Sequence, residues 1–525
     1  MNEKTLLFFS RWGLLLIVII AIFFRLYNLP TTPPGLYPDE AMNGNNALEA
    51  ISTGEYKIFY PENNGREGLF INIQAILLKI IRVNEPWVLR LGAVIFGILT
   101  VVGVWFLTKE ILKKYKWASF VAFWSSFFLA TSFWHINFSR IGFRANMAPM
   151  FLVWGLFFLI VALNRIKDNS QITNNQLLKN QNSNFKSLNL DIRTWILTVV
   201  GGLLYGAGMH SYIAYRITPL IIIFVFAVYW IAYKISFKKI IGLFFIYVIV
   251  AFLVFLPLGN YFIQHPADFM GRTSQVSIFS GPNPIKDLGV NVIKTLGMFN
   301  FVGDYNWRHN YSGAPELYWI VGFFLLFGFI GGIVRTFKYR LDQNYKEEKI
   351  IWLISIAWIM VAMLPVVISN EGIPHALRSI LMIPPVYIIA GLGIYWILEA
   401  ASRYQKPKTI GVAIIIIISL VTIQAYTTYF VAWAKNPNVQ GAFAQHYVDI
   451  GRQINELPIS ADKYIIVNSG GTDVRGIPMP AQTIMFITDS FTPEKQNQKN
   501  IHYVLEKDLK SITQKDAVIF YLEPK

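Results

Sequence analysis

Residues 12–29, WGLLLIVIIAIFFRLYNL, decide the class of this chain. The run carries a single charge, Arg25, near its far end, and is long enough as a helix to cross a hydrocarbon layer about 30 Å thick. Lys4 and Arg11 precede it and no small-residue cleavage site follows, so it reads as an uncleaved anchor with a cytoplasmic N-terminus. Ten more runs of this kind lie near 86–108, 117–135, 145–164, 194–209, 217–233, 240–258, 316–334, 350–368, 379–398 and 409–430. Together they predict about 11 crossings of a membrane by an all-α polytopic protein.

The composition agrees. Of 525 residues 54% are apolar and 14% charged, against about 25% charged in soluble domains, and the mean hydropathy is +0.44, which excludes a soluble enzyme. The net charge of +16 comes from short basic connectors, so it follows from positive-inside topology and no nucleic-acid partner is expected. With no cysteine, the chain has no disulfide, thiolate nucleophile, iron–sulfur cluster or Cys-ligated zinc.

An odd number of crossings puts the C-terminus outside. In that register Lys109/Lys113/Lys114/Lys116, Lys234/Lys238/Lys239, Arg335/Lys338/Arg340 and Arg403/Lys406/Lys408 all fall inside, and the Asn/Gln/Ser-rich 165–193 is a flexible cytoplasmic linker. The expected organisation is a transmembrane unit over 1–433, with long outer loops at 30–84 and 259–315, and an extracytoplasmic α/β unit over 434–525. In the first loop Pro38 marks a helix start, and Gly68–Ile81 alternates apolar and polar residues like a helix lying at the interface. The tail offers a helix at 441–456 and strand-like runs at 464–467, 483–487, 503–505 and 518–522.

Topology then sorts the polar clusters, and nearly all of them fall outside. They are Tyr37-Pro38-Asp39-Glu40, Gly65-Arg66-Glu67-Gly68, Ser139-Arg140 with Arg144, His210-Ser211-Tyr212 with Arg216, His265 with Arg272, Asp304 with Arg308-His309-Asn310, and Glu371 with His375 and Arg378. All seven histidines are assigned to that side. An active site therefore faces outward at the membrane surface. Asp39 and Glu40 would point about 100° apart on a helix, serving as a general base and an acceptor-positioning group, or else simply complementing the helix dipole. Glu67 is a second candidate carboxylate, or a local partner of Arg66. Arg140, Arg144, Arg216 and Arg378 run against the positive-inside bias. A phosphate at headgroup depth would explain them, as would snorkelling to lipid phosphates. His210, Tyr212 and His375 could add hydrogen bonds to the same group. No two histidines have the i,i+4 spacing of a helical metal site, so metal ligands are not identified. The aromatic residues read as interface belt and lipid-facing core.

The order of these motifs resembles the polyprenyl-phosphate-sugar-dependent glycosyltransferases of the GT-C fold. It carries Pro-Asp-Glu in a long first outer loop, Gly-Arg-Glu-Gly before an interfacial helix, Ser-Arg and Arg144 after the third span, Tyr212 with Arg216, and His375 with Arg378 by a late span. Within them it is similar to bacterial relatives of protein O-mannosyltransferases and to the lipid A aminoarabinose transferase, over about residues 10 to 430. The resemblance implies that Asp39 is the catalytic carboxylate, that Glu40 orients the acceptor, and that Arg140, Arg144, Arg216, His375 and Arg378 surround the donor phosphate. It implies transfer of a sugar from a polyprenyl phosphate to an acceptor hydroxyl, with inversion, at the outer face of the cell membrane. Lipid, glycan and protein acceptors all stay open. Mg²⁺ or Mn²⁺ on Asp39 and Glu67 is one way to stabilise the leaving phosphate, and arginines alone are another.

The main rival is a lipid or glycan transporter or flippase, for which Pro257 and Pro365 near span ends are the closest approach to broken helices. A noncatalytic sensor would leave the outer Arg, His and Asp clusters without a purpose. A glycosidase needs two opposed carboxylates and no phosphate-binding arginines.

Overall fold

The computed structural model describes residues 3–179, 191–269, 277–511 and 517–523. Among them nine helices are long and apolar enough to cross a membrane, beginning with Glu3–Leu26 and Pro86–Ile111 and ending with Pro407–Trp433. Two further predicted spans form shorter apolar helices, Ala118–Thr131 and Ile192–Gly208. The first is short because Ser132 turns extended and its side chain accepts from the His135 amide, starting a new helix, Phe133–Phe138. Every residue of Ala118–Thr131 is buried, so this helix runs through the centre of the bundle.

Helices Trp319–Lys338 and Ile383–Ala401 cross backbone against backbone. A Cβ on Gly328 would lie 2.1 Å from the Ile389 carbonyl oxygen, and one on Gly393 would lie 2.0 Å from that of Phe324. Small residues permit this approach, which replaces the hydrophobic driving force that lipid does not supply.

The connectors sort by end. Lys113 pairs with Asp168 at 3.4 Å, Lys114 with Glu347 at 3.6 Å, and Arg335 with Glu348 and Glu399 at 2.9 and 2.7 Å, gathering the basic turns at one end of the bundle. The outer-loop clusters and the tail collect at the opposite end. There Pro38–Thr53 and Gly68–Ile81 are helices as expected, joined by a hairpin that pairs Phe59–Tyr60 with Arg66–Glu67. In the tail, Lys463–Val467 lies between Ile501–Leu505 and Val518–Tyr521 in a parallel sheet.

Three expectations change. Residues 483–487 are not a strand but part of helix Gln482–Thr488, all of it buried. Phe486 lies over Gly44 of Pro38–Thr53, where a Cβ would come within 2.5 Å of its ring. A short apolar run buried on every side has no period to separate strand from helix. The tail helix expected at 441–456 is two helices, Pro437–Ala442 and Gln445–Glu456, broken at Ala444 with φ of 50°. Helix Met147–Lys179 continues into the expected linker, of which 180–190, like Arg272, lies outside the described residues.

Gly393→Val forces the two helices apart and is expected to cost about 1–3 kcal/mol or more. A thermal-unfolding midpoint in detergent equal to wild type would refute that packing.

Candidate active site

Pro38 opens its helix, so Asp39 and Glu40 lie in the first turn, where the helix dipole favours carboxylates. They face different ways. Glu40 is fully buried: its Oε2 accepts from Arg90 Nε at 3.2 Å and from the Gly142 amide at 2.7 Å. Arg90 Nη1 and Nη2 donate to the carbonyls of Pro33 and Gly35, at 2.6 and 2.8 Å, and Nη2 also reaches Glu40 Oε1 at 3.4 Å. Glu40 therefore fastens the loop to the bundle and borders no cavity around Asp39, which takes it out of the acceptor-orienting position.

Asp39 is half-buried and stands where two cavities meet. On one side is a chamber of about 910 Å³ between Tyr37, Asn63, Trp307, Arg308 and the tail. On the other is a narrow space of about 70 Å³ lined by Asn43, Asn63, Arg66, Arg144 and Tyr212. Tyr212 also borders a groove of about 480 Å³, mostly apolar, with Ile217, Phe269, Leu364, Ile368, Arg216 and Arg378 on its walls. A route thus runs from chamber to groove past the Asp39 carboxylate, which is in no ion pair among the described residues.

That carboxylate is held by Asn63, whose Nδ2 donates to Asp39 Oδ1 at 2.8 Å. Asn63, Asn64 and Gly65 are all left-handed, with φ of 53°, 61° and 79°. Asparagine is among the few side chains that tolerate this region, and a Cβ on Gly65 would strike the Phe59 ring at 2.6 Å. The Asn-Asn-Gly turn was a readable signal for this residue, but nothing in it named Asp39 as the partner.

Glu67 is not a second free carboxylate. It is buried, with Oε2 accepting from Arg144 Nε at 2.7 Å and Oε1 lying 3.7 Å from Arg216 Nη2. It neutralises part of a cluster in which Arg66 also sits, donating to Asn43 at 2.8 Å and Asn46 at 2.6 Å. Burial and then the charge of Arg144 push the Arg66 guanidinium down to about 10. Arg216 rests over the rings of Phe262 and Phe269, and Arg378 bonds the Ser369 hydroxyl and the Glu371 carbonyl.

Arg140 is elsewhere: fully buried, it donates to the carbonyls of Phe24, Tyr27 and Thr32 at 3.1, 2.8 and 2.7 Å. It ties the end of the first helix and, fully buried, borders none of the three cavities. His210 hydrogen-bonds the Val254 carbonyl at 2.9 Å and borders none of the three cavities.

His375 belongs to a separate cluster. Its Nδ1 lies 3.7 Å from Asp304 Oδ2, which also meets His309 Nδ1 at 3.0 Å and the Ala376 amide at 2.9 Å. Burial pushes the Asp304 carboxyl up, but the His309 hydrogen bond and the two imidazoles outweigh it and hold it below the usual range. Nearby Glu316, accepting from the Asp304 amide at 3.0 Å, is driven well above the usual carboxylate range by burial. Among the described residues Asp304, His309 and His375 have ligand atoms converging within 4.8 Å, an imidazole-rich set suited to zinc more than to Mg²⁺ or Mn²⁺. The Asp39 and Glu67 pair does not fit a cation, because both Glu67 oxygens already face arginines.

No family model and no curated protein matches the chain. Solved structures do. The archaeal oligosaccharyltransferase AglB from Archaeoglobus fulgidus, in complex with an inhibitory peptide and a dolichol-phosphate, superposes with a TM-score of 0.55 at 15% identity, covering 91% of this chain. This chain spans 64% of that protein's length. ArnT from Cupriavidus metallidurans in the apo state gives a TM-score of 0.51 at 12% identity, covering 95% of this chain and 89% of that one. The chain has the GT-C membrane fold that its motif order resembles.

Arg90→Ala strands the buried Glu40 carboxylate and is expected to cost about 3–5 kcal/mol, read as a lowered unfolding midpoint in detergent. Arg90→Lys should recover little, since an ammonium lacks the fork that reaches two carbonyls and a carboxylate together. Recovery to the wild-type midpoint would contradict this.

Proposed function

We propose that this chain is a membrane glycosyltransferase that moves a sugar from a polyprenyl-phosphate carrier to an acceptor hydroxyl on the extracytoplasmic face. The observation that carries the reading is the position of Asp39, the free carboxylate between a polar chamber and an arginine-lined apolar groove. The groove suits a polyprenyl chain, and Arg144, Arg216, Arg378 and the Tyr212 hydroxyl suit its phosphate. The basic connectors then face the cytoplasm and the cavities face outward. Sugar nucleotides are cytoplasmic, so a transferase working outside needs a sugar carried across on lipid.

The reaction is a single displacement. The Asp39 carboxylate takes the acceptor proton as the acceptor oxygen bonds to the anomeric carbon. The bond from that carbon to the phosphate oxygen breaks, its electrons stay with the phosphate, and the guanidinium groups stabilise the charge that develops there. Asn63 keeps the base oriented. Attack from the chamber, opposite the leaving group, inverts the anomeric configuration.

Lipid mass spectrometry on detergent-purified protein tests the donor. Sugar-charged polyprenyl phosphate should accumulate on Asp39→Asn and be lost from Arg216→Ala and Arg378→Ala. Folded protein carrying no polyprenyl lipid in any form would overturn the reading and bring transport forward. Once a product is in hand, Asp39→Asn should slow transfer by about 10²–10⁴-fold, and retention of configuration by NMR would refute single displacement.

A further inference from the structure

We infer that the acceptor is a hydrophilic oligosaccharide, bound in the chamber between Asp39 and the C-terminal unit; this rests on the glycosyltransferase reading above. The chamber, about 910 Å³, lies on the side of Asp39 away from the apolar groove, near the top of the range of ligand-sized pockets. Its walls present Tyr37, Tyr305, Trp307 and Tyr447 among polar groups such as His446 and Thr472. Flat rings suit the C–H faces of sugars, while imidazole, amide and hydroxyl groups suit their hydroxyls.

Two of the four rings are held in place. The Arg308 guanidinium lies 3.7 Å over Tyr37, and the Tyr447 hydroxyl bonds Glu523. Tyr305, 65% exposed, packs against Gly313 and is the most open of the four. Such preorganisation lowers the cost of ordering a flexible ligand.

Two other acceptor classes fit less well. A lipid would need an apolar wall continuous with the membrane, and the apolar groove lies across Asp39 on the donor side. A peptide is commonly recognised by adding its main chain to a strand edge. No residue of any described strand lines the chamber, whose tail wall is the Gly470-Gly471-Thr472 loop and Met479-Pro480, flanking the short hairpin Asp473–Val474/Ile477–Pro478, with Glu523 and the start of helix Gln445–Glu456.

Labelled full-length Asp39→Asn in detergent, applied to an array of short oligosaccharides beside an array of peptides, tests this. Binding to a subset of oligosaccharides is expected, weakened more than about tenfold by adding Tyr305→Ala, which alters an exposed ring, or Thr472→Ala. Retained donor lipid without oligosaccharide binding would overturn this inference alone. Peptide capture sensitive to the same two changes, or glycan binding indifferent to both, would overturn it too. Loss of donor lipid from every variant would instead remove the transferase reading beneath it.

Discussion

The ion pair between Arg90 and Glu40 is the constraint on which the Asp39 end of the molecule depends. Both side chains are fully buried, and each charge would be costly there without full coordination. Arg90 collects the carbonyls of Pro33 and Gly35 with the Glu40 carboxylate, and Glu40 adds the Gly142 amide, so one knot joins the first outer loop, helix Pro86–Ile111 and the turn after Phe138. Fixing Glu40 inward also fixes its neighbour. About 100° of helical rotation turns Asp39 toward the cavities, so the free carboxylate gets its direction from the one that is spent.

Charge balance shapes the rest of the site. Arg144 and Arg216 share Glu67 as a buried counter-ion, while Arg66 beside them is held by Asn43 and Asn46 and feels the charges of Glu62 and Asp39. These carboxylates reduce the repulsion that would otherwise splay the arginines apart.

The helical part of this architecture was legible because apolar length reports directly on membrane crossing, and because Pro38 and the alternation in Gly68–Ile81 set local boundaries. Site roles were less legible. Asp39 and Glu40 are chemically equivalent neighbours, and only tertiary packing decides which of them faces a cavity. Arg140 and Arg144 look alike in sequence, yet one closes helix ends and the other meets Glu67. Arg90 lies in an apolar run, and an arginine inside a span is itself a sign of a buried partner. The run at 483–487 misled because complete burial erases periodicity.

The contact between Thr483 and the Leu36 carbonyl joins positions 447 residues apart, and Asn45 reaches Gln482 across nearly as many. The apolar underside of the first outer loop is made more than 400 residues before the helix that covers it. Until then the loop is an unfinished surface, and the chamber beside Asp39 lacks a wall. Assembly order therefore acts as a safeguard: the surface beside Asp39 is covered only once the chain has grown past Thr488, and copies cut short of it in the membrane lack that cover.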